Sequence, residues 1–490
     1  MRGTLRSGVV AALYCMACSL PSEQRPIPID EDSAGGVRQR FVFASCAFTP
    51  PNGAQVRCGW LTVPEDRVKA DGRIIRLHVA IYQSRSARLA PDPIVWLVGG
   101  PGGRAQLFSS KLFDRVVAPY IGKRNFIVVD TRGTGYSQPA LDCPNASGPP
   151  EQWMRACRKR LSAVADLDCY NSAAAAADLD DLRRALGLRE WNLLGESYGT
   201  RLALTAVRDH PAGIRAVILD SVVPPEVDEY ADGPVKFENA LNTLFSDCAS
   251  DTRCKAAFPD LRNTLLDAAD RLDRSPRRLV GNWHGTPFEV RFDGSQLMEA
   301  LHMALYESDL IPKIPWAIYR AADGGADAVW GEVIGRHAIF VARELVDRGA
   351  QLSFHCAEEV PFTDIARLKR EDGQRPWMRH SASGLELVNA CRLWNVRPAG
   401  RRETLPVKSD IPALLLSGAY DPVTPPAYAR SAASHLRDAH LFVFPGMGHQ
   451  LTANPISDCP QALVLEFLDN PRQRPAAACL DGRKPRWDLR

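Results

Sequence analysis

One pentapeptide constrains this chain more than any other feature. Residues 191–194 form a short apolar run, Gly195-Glu196-Ser197-Tyr198-Gly199 follows at once, and a helical pattern covers residues 197–210. A strand that turns sharply into a helix leaves little room beside the turn, and a glycine on each side of the serine meets that demand. The serine hydroxyl then stands above the carboxyl end of the strand, and the helix aims its positive end at it. A bare G-x-S-x-G arises often by chance, so its weight comes from the strand before it and the helix after it. The competing reading, a glycine-rich turn with an idle serine, fits that context less well.

The flanking pattern repeats this rhythm. Residues 55–64 and 74–81 read as strands joined across the turn signal Asp71-Gly72. Residues 94–98 and 126–129 are continuous apolar runs, as expected of strands buried on both faces. Residues 172–186 read as a helix capped by Ser172 and ended by Gly187. Residues 214–219 form the next strand, and the rhythm breaks at Val222-Val223-Pro224-Pro225. A mainly helical stretch follows, including residues 294–306 and 331–348, with residues 288–292 as a hairpin arm. Strand and helix signals then alternate again at 413–416, 425–436, 440–444 and 459–468. The expected class is α/β: a mostly parallel central sheet flanked by helices, with an inserted, mainly helical cap. The organisation reads as an export signal (1–20), a spacer (21–40), a first core part (41–222), a cap insertion (223–405) and a C-terminal core part (406–490).

Composition narrows the function classes. With 490 residues, 45% hydrophobic and 24% charged, the chain suits an ordinary globular protein. A formal charge of +3 gives no reason to expect a nucleic-acid partner, and no apolar run is long enough to span a bilayer. Nothing specifies an oligomeric state. Arg2 and Arg6 precede an apolar stretch over residues 8–20 and a polar, proline-containing spacer, the pattern of export to the periplasm or beyond. Ala17 before Cys18 permits a lipid anchor through Cys18, although Cys15 stands where such signals usually carry Leu. Among thirteen cysteines, Cys46 with Cys58, Cys143 with Cys157, and Cys248 with Cys254 are close in sequence. Cys356 with Cys391 and Cys459 with Cys479 could complete a set that leaves Cys169 free and buried. Sequence leaves the connectivity open. The only C-x-x-C spacing lies in the signal stretch, so a structural zinc site is not expected.

A serine hydroxyl needs a base, and in a sheet of this type the order along the chain is Ser, then acid, then His. Asp421 follows the run at 413–416, and His449 follows the last strand within Gly446-Met447-Gly448-His449. Both fall at strand carboxyl ends, where sites on open α/β sheets lie. The other nine histidines fit less well. Asp421 would orient the imidazole of His449. An oxyanion hole requires two donors: the N–H of Tyr198, and one from Gly99-Gly100-Pro101-Gly102, with Gly100 favoured and Gly99 the alternative. A phosphate loop is disfavoured there, because Pro101 lacks a donor and G-x-G-x-x-G spacing is absent. No metal or organic cofactor is needed for this chemistry.

Together, Gly99-Gly100-Pro101-Gly102, the segment Asp130-Thr131-Arg132-Gly133-Thr134-Gly135-Tyr136-Ser137, the Ser197 elbow with Thr200-Arg201, the Asp421 loop and Gly448-His449 resemble the prolyl-aminopeptidase-like α/β hydrolases. The similarity is closer to their exported branch, the tripeptidyl aminopeptidases, and spans roughly residues 46–479. Many relatives carry His before the two glycines, where this chain has Val98. The resemblance implies a serine exopeptidase that releases residues or tripeptides from peptides with a free N-terminus. A carboxylesterase acting on lipid or small esters is the alternative. It also implies a carboxylate that holds the substrate ammonium. Cys356-Ala357-Glu358-Glu359 resembles a Cys-x-Glu element of that branch, which nominates Glu358, then Glu359. The competing reading is a solvated acidic pair beside a disulfide. Arg132 reads as a structural brace.

Overall fold

Strand β4 is buried at all four of its positions, and successive side chains of a strand face opposite ways. Ile94 and Trp96 join one apolar cluster, whereas Val95 and Leu97 join another. Such a strand must lie inside a layered sheet with helices on both faces. The computed structural model describes residues 41–144, 150–283, 286–342, 345–381, 383–480 and 485–490. The export signal, the spacer and Cys18 lie outside the described residues.

The strands in chain order are β1 (Phe41–Ala44), β2 (Val56–Pro64), β3 (Ile74–Tyr82), β4 (Ile94–Leu97), β5 (Phe126–Val129), β6 (Trp191–Glu196), β7 (Ile214–Asp220), β8 (Arg277–Trp283), β9 (Thr286–Phe292), β10 (Ala413–Gly418) and β11 (Ala439–Phe444). Nine form one sheet in the order β1-β2-β3-β5-β4-β6-β7-β10-β11, and β8 pairs with β9 in a separate hairpin. The sheet is antiparallel from β1 to β5 and parallel from β5 to β11. Every parallel strand therefore delivers its carboxyl end to the same edge, which gathers the loops after β4, β6, β7, β10 and β11.

One face of the sheet is covered by the helices Ser172–Ala185 and Tyr198–Asp209, the other by Cys459–Asp469. Between β7 and β10 the packing divides. Residues from Phe237 to Val333 build a core of their own, centred on Leu244, Leu301 and Trp330. Ala350, Phe354 and Trp394, later in the same stretch, pack instead into a core of the main sheet. Where the sequence reads one helix over residues 331–348, the structure has two, Asp327–Ala342 and Arg348–Glu358. Val346 bridges to Gly103 between them, so extended pairing with a distant loop overrides local helix propensity.

The cysteines pair as Cys46–Cys58, Cys143–Cys157, Cys248–Cys254, Cys356–Cys391 and Cys459–Cys479. Cys169 is free but half-buried rather than fully buried, and burial pushes its thiol up to about 12. Five bridges are consistent with an extracellular protein. Among the described residues no helix is long and apolar enough to cross a membrane.

Candidate active site

The Ser197 turn is set by backbone crowding. Ser197 has φ 56° and ψ −127°, a conformation that L-residues avoid and that costs about 1–3 kcal/mol. A Cβ on Gly195 would stand 2.5 Å from the Gly199 carbonyl oxygen, and one on Gly199 would stand 1.9 Å from that of Leu97. Only glycine fits either position. The Ser197 N–H donates to the Asp220 carbonyl at 2.9 Å. Thr200 Oγ1 donates to the Ser197 carbonyl at 2.6 Å, which holds the turn from the helix side.

His449 and Asp421 meet across two loops at the same sheet edge. His449 Nδ1 lies 2.7 Å from Asp421 Oδ2, and both residues are buried. The Val423 and Thr424 N–H groups donate to Asp421 Oδ1 at 2.9 and 2.8 Å, and Thr424 Oγ1 donates to Oδ2 at 2.6 Å. Burial alone would raise the Asp421 pKa, but His449 and the Thr424 donors outweigh it and hold the carboxyl at about 2. Burial alone would lower the His449 pKa, yet Asp421, then Asp220 and Glu196, bring it above its ordinary value. The His449 ring lies tilted against that of Tyr306, centroids 4.7 Å apart, and the His449 backbone N–H donates to the Tyr306 carbonyl at 3.0 Å.

Asp220, at the end of β7, ties these parts together. Its carbonyl receives the Ser197 N–H, and its carboxylate accepts from Leu451 N, Thr452 N and Thr452 Oγ1 at 3.0, 2.7 and 2.6 Å. Burial raises its pKa against those donors. Glu196, inside the pentapeptide, is buried beside it and is pushed up to about 8 by burial and by Asp220. Sequence reasoning passed over both acids. The available signal was position, since each ends a parallel strand at the edge that carries the site.

The glycine loop after β4 closes on the serine. A Cβ on Gly99 would fall 2.6 Å from Ser197 Cβ, so this loop touches the nucleophile turn directly. Gly100 follows at φ +130°. No acceptor within the protein is seen for the N–H of Gly100 or Tyr198 among the described residues.

Glu358 and Glu359 line a cavity of about 400 Å³ together with Glu226, Asp228, Glu229 and Arg201. None of Ser197, Asp421 and His449 lines it. Burial, then the Asp421 and Glu229 charges, push the phenol of Tyr306 up, and the Tyr306 ring lies tilted against His449. The two glutamates differ sharply. Glu358 is fully buried, and its carboxylate accepts from Ser172 Oγ, Ser172 N and Tyr198 OH at 2.6, 2.9 and 3.0 Å. Glu359 accepts from Tyr230 OH at 3.2 Å and contacts His355 Nδ1 through Oε2, while its buried Oε1 has no hydrogen-bond partner. Burial favours the neutral acid, but His355, Arg201 and Tyr230 prevail and hold Glu359 at about 2. Arg132 is fully buried, gripping both oxygens of Asp178 and the carbonyls of Glu65 and Cys169. Asp66, Asp166 and Cys169 could offer three metal ligands, but Lys69 already bridges the two carboxylates at 2.9 and 3.3 Å.

Residues 92–295 match the family described as alpha/beta hydrolase fold, and residues 379–479 match the family described as TAP-like protein. The sheet order, the turn at Ser197 and these two matches agree. The chain is an α/β hydrolase with a TAP-like C-terminal region. Among relatives of this hydrolase, serine protease Hip1 of Mycobacterium tuberculosis is 24% identical over 473 residues, 87% of each chain. The tripeptidyl aminopeptidase of Streptomyces lividans is 32% identical over 220 residues, 40% of this hydrolase and 41% of that protein. Among solved structures, the proline iminopeptidase of Mycobacterium smegmatis aligns over 84% of the hydrolase and 98% of its own chain, with 18% identity and a TM-score of 0.38.

Proposed function

We propose that this hydrolase is an exported serine aminopeptidase acting on peptides with a free N-terminus. Ser197 is the nucleophile, His449 its general base, and Asp421 the group that orients His449. The buried His449–Asp421 pair, at the sheet edge that also carries the strained Ser197 turn, carries this reading. His449 takes the Ser197 proton as Oγ attacks the scissile carbonyl, then delivers it to the leaving amine. Water hydrolyses the acyl-enzyme by the reverse sequence. The N–H groups of Tyr198 and Gly100 stabilise the tetrahedral oxyanion. Gly99 supplies the clearance this requires. Gly99→Ala is expected to push the loop off the Ser197 turn and lower kcat on the order of 100-fold, with an unchanged circular dichroism spectrum. Wild-type kcat in that variant would remove the loop from the site.

The acidic cavity supports the exopeptidase reading. Its lining carries Glu226, Asp228, Glu229, Glu358 and Glu359 against Arg201 and Arg401, an excess of negative charge suited to an ammonium. Glu359 is the proposed anchor rather than Glu358, because its Oε1 has no hydrogen-bond donor, only the Arg201 Nε charge at 3.8 Å, while the Glu358 oxygens already hold three donors. Glu359→Gln is expected to raise KM for a free tripeptide anilide by about 10- to 100-fold, the worth of one charge-assisted hydrogen bond. Turnover of the N-acetylated substrate should not change. Comparing both substrates in wild type and Glu359→Gln tests the assignment, and equal effects of Glu359→Gln on free and blocked peptides would refute it. Residues 1–20 are read as the export signal, with Cys18 as a candidate lipid attachment point, in keeping with the five disulfides.

A further inference from the structure

The helix Arg348–Glu358 begins and ends on a buried carboxylate, and each grips a different side of the oxyanion site. Asp347, immediately before its first residue, is fully buried. Its Oδ1 accepts from Arg104 Nε and Nη2 at 3.1 and 2.7 Å, and its Oδ2 accepts from the Gly135 N–H at 2.7 Å. The backbone joins in. The Asp347 N–H donates to the Gly102 carbonyl at 2.9 Å, and the Arg104 N–H to the Leu345 carbonyl at 3.0 Å. A Cβ on Gly102 would stand 2.8 Å from the Asp347 carbonyl oxygen, so the glycine loop lies flat against the start of this helix.

The far end holds Tyr198. Glu358 accepts from the Tyr198 hydroxyl at 3.0 Å and from Ser172 Oγ at 2.6 Å, and Ser172 Oγ lies 2.5 Å from the same hydroxyl. Phe354, one turn earlier, meets the Tyr198 ring edge-on with centroids 5.5 Å apart. The helix is itself anchored by the Cys356–Cys391 bridge and by Trp394 Nε1 donating to Ser353 Oγ at 3.0 Å. At 11 residues it is about 16 Å long.

We propose that this helix is a rigid brace that sets the spacing of the two oxyanion donors, with Asp347 and Glu358 as positioning residues. It rests on the serine-hydrolase reading above. Asp347 fixes the loop that carries Gly100, and Glu358 fixes the side chain of the residue whose N–H is the other donor. Asp347 does not line the acidic cavity, and the Glu358 oxygens are already taken by Ser172 and Tyr198. A pair of donors stabilises a tetrahedral oxyanion only when both are held before it forms. The brace therefore acts on the transition state and leaves ground-state binding alone.

The test compares Asp347→Asn, Glu358→Gln and, as a stability control outside the brace, Phe467→Leu with the full-length wild type. Each is assayed for kcat and KM on a free tripeptide anilide, for binding of a peptide aldehyde whose adduct with Ser197 carries an oxyanion, and for melting temperature. Asp347→Asn and Glu358→Gln are expected to lower kcat on the order of 100-fold, leave KM unchanged and weaken the aldehyde by the same factor. Phe467→Leu should lower the melting temperature without changing kcat. Wild-type kcat in folded Asp347→Asn and Glu358→Gln, or a loss confined to KM, overturns the brace. So does an equal kcat loss in Phe467→Leu. If Glu358→Gln does not fold, Tyr198→Phe cuts the same link and is judged by the same criteria. Wild-type labelling by a fluorophosphonate at Ser197 separates the two levels. Without labelling, hydrolase reading and brace fall together; with labelling and unaffected variants, the brace falls alone.

Discussion

Ser197→Ala is expected to lower kcat by about a million-fold, the loss typical of removing a triad nucleophile, and to abolish fluorophosphonate labelling. The fold should survive. Alanine fits wherever the serine side chain fits, and the bonds that hold the turn are backbone bonds: Ser197 N–H to the Asp220 carbonyl and Thr200 Oγ1 to the Ser197 carbonyl. An unchanged melting temperature alongside lost labelling is the anticipated pair of results. Residual labelling in the variant would place the nucleophile elsewhere, and nothing else in the mechanism would stand.

Asp421→Asn should cost about 10,000-fold in kcat with little change in geometry. The carboxylate receives His449 Nδ1–H at 2.7 Å, which leaves Nε2 free to accept the Ser197 proton. An asparagine amide presents a donor there instead and favours the other tautomer, whose Nε2 is already protonated. The pH profile supplies an independent check. His449 must be neutral to act as base, so kcat/KM falls as pH drops through its pKa. Burial pulls that pKa down, and Asp421 is the largest of the groups that pull it up. With that charge gone, Asp220 and Glu196 are left to oppose burial, and the acidic limb should move to lower pH. An acidic limb that stays in place, or moves up, would mean that another acid partners His449.

Several parts of the site were legible before any coordinates. Ser197, Asp421 and His449 each follow a short strand, the first two of these strands fully buried, and the serine turn carries a glycine whose need is local. Gly195 shows why: a Cβ there would meet the Gly199 carbonyl oxygen at 2.5 Å. The parallel sheet was legible for a related reason, since strands buried on both faces lose the polar alternation that a half-exposed strand keeps. The helix at 172–186 was also legible, but its cap was not. Asn171 receives the Ala174 N–H at 3.0 Å, while the Ser172 hydroxyl is drawn away to Glu358. The two residues are equally good caps by type, and a partner 186 positions away decided between them.

The sequence by itself carried the alternation of strands and helices around the sheet, the glycine-flanked serine turn, and the order in which Ser197, Asp421 and His449 follow their strands. Each strand, each helix and the serine turn is written in residues close along the chain, where sterics and side-chain periodicity act directly. Tertiary structure alone decided how Asp220 ties the Ser197 turn to the His449 loop. It also decided that Glu358 is bound up with Ser172 and Tyr198, that Glu359 Oε1 faces Arg201 without a hydrogen-bond donor, and that Asp347 reaches Arg104 across 243 residues. Each is a buried carboxylate whose role depends on which donors surround it. Those donors come from distant segments that meet only once the sheet and its covering helices have packed.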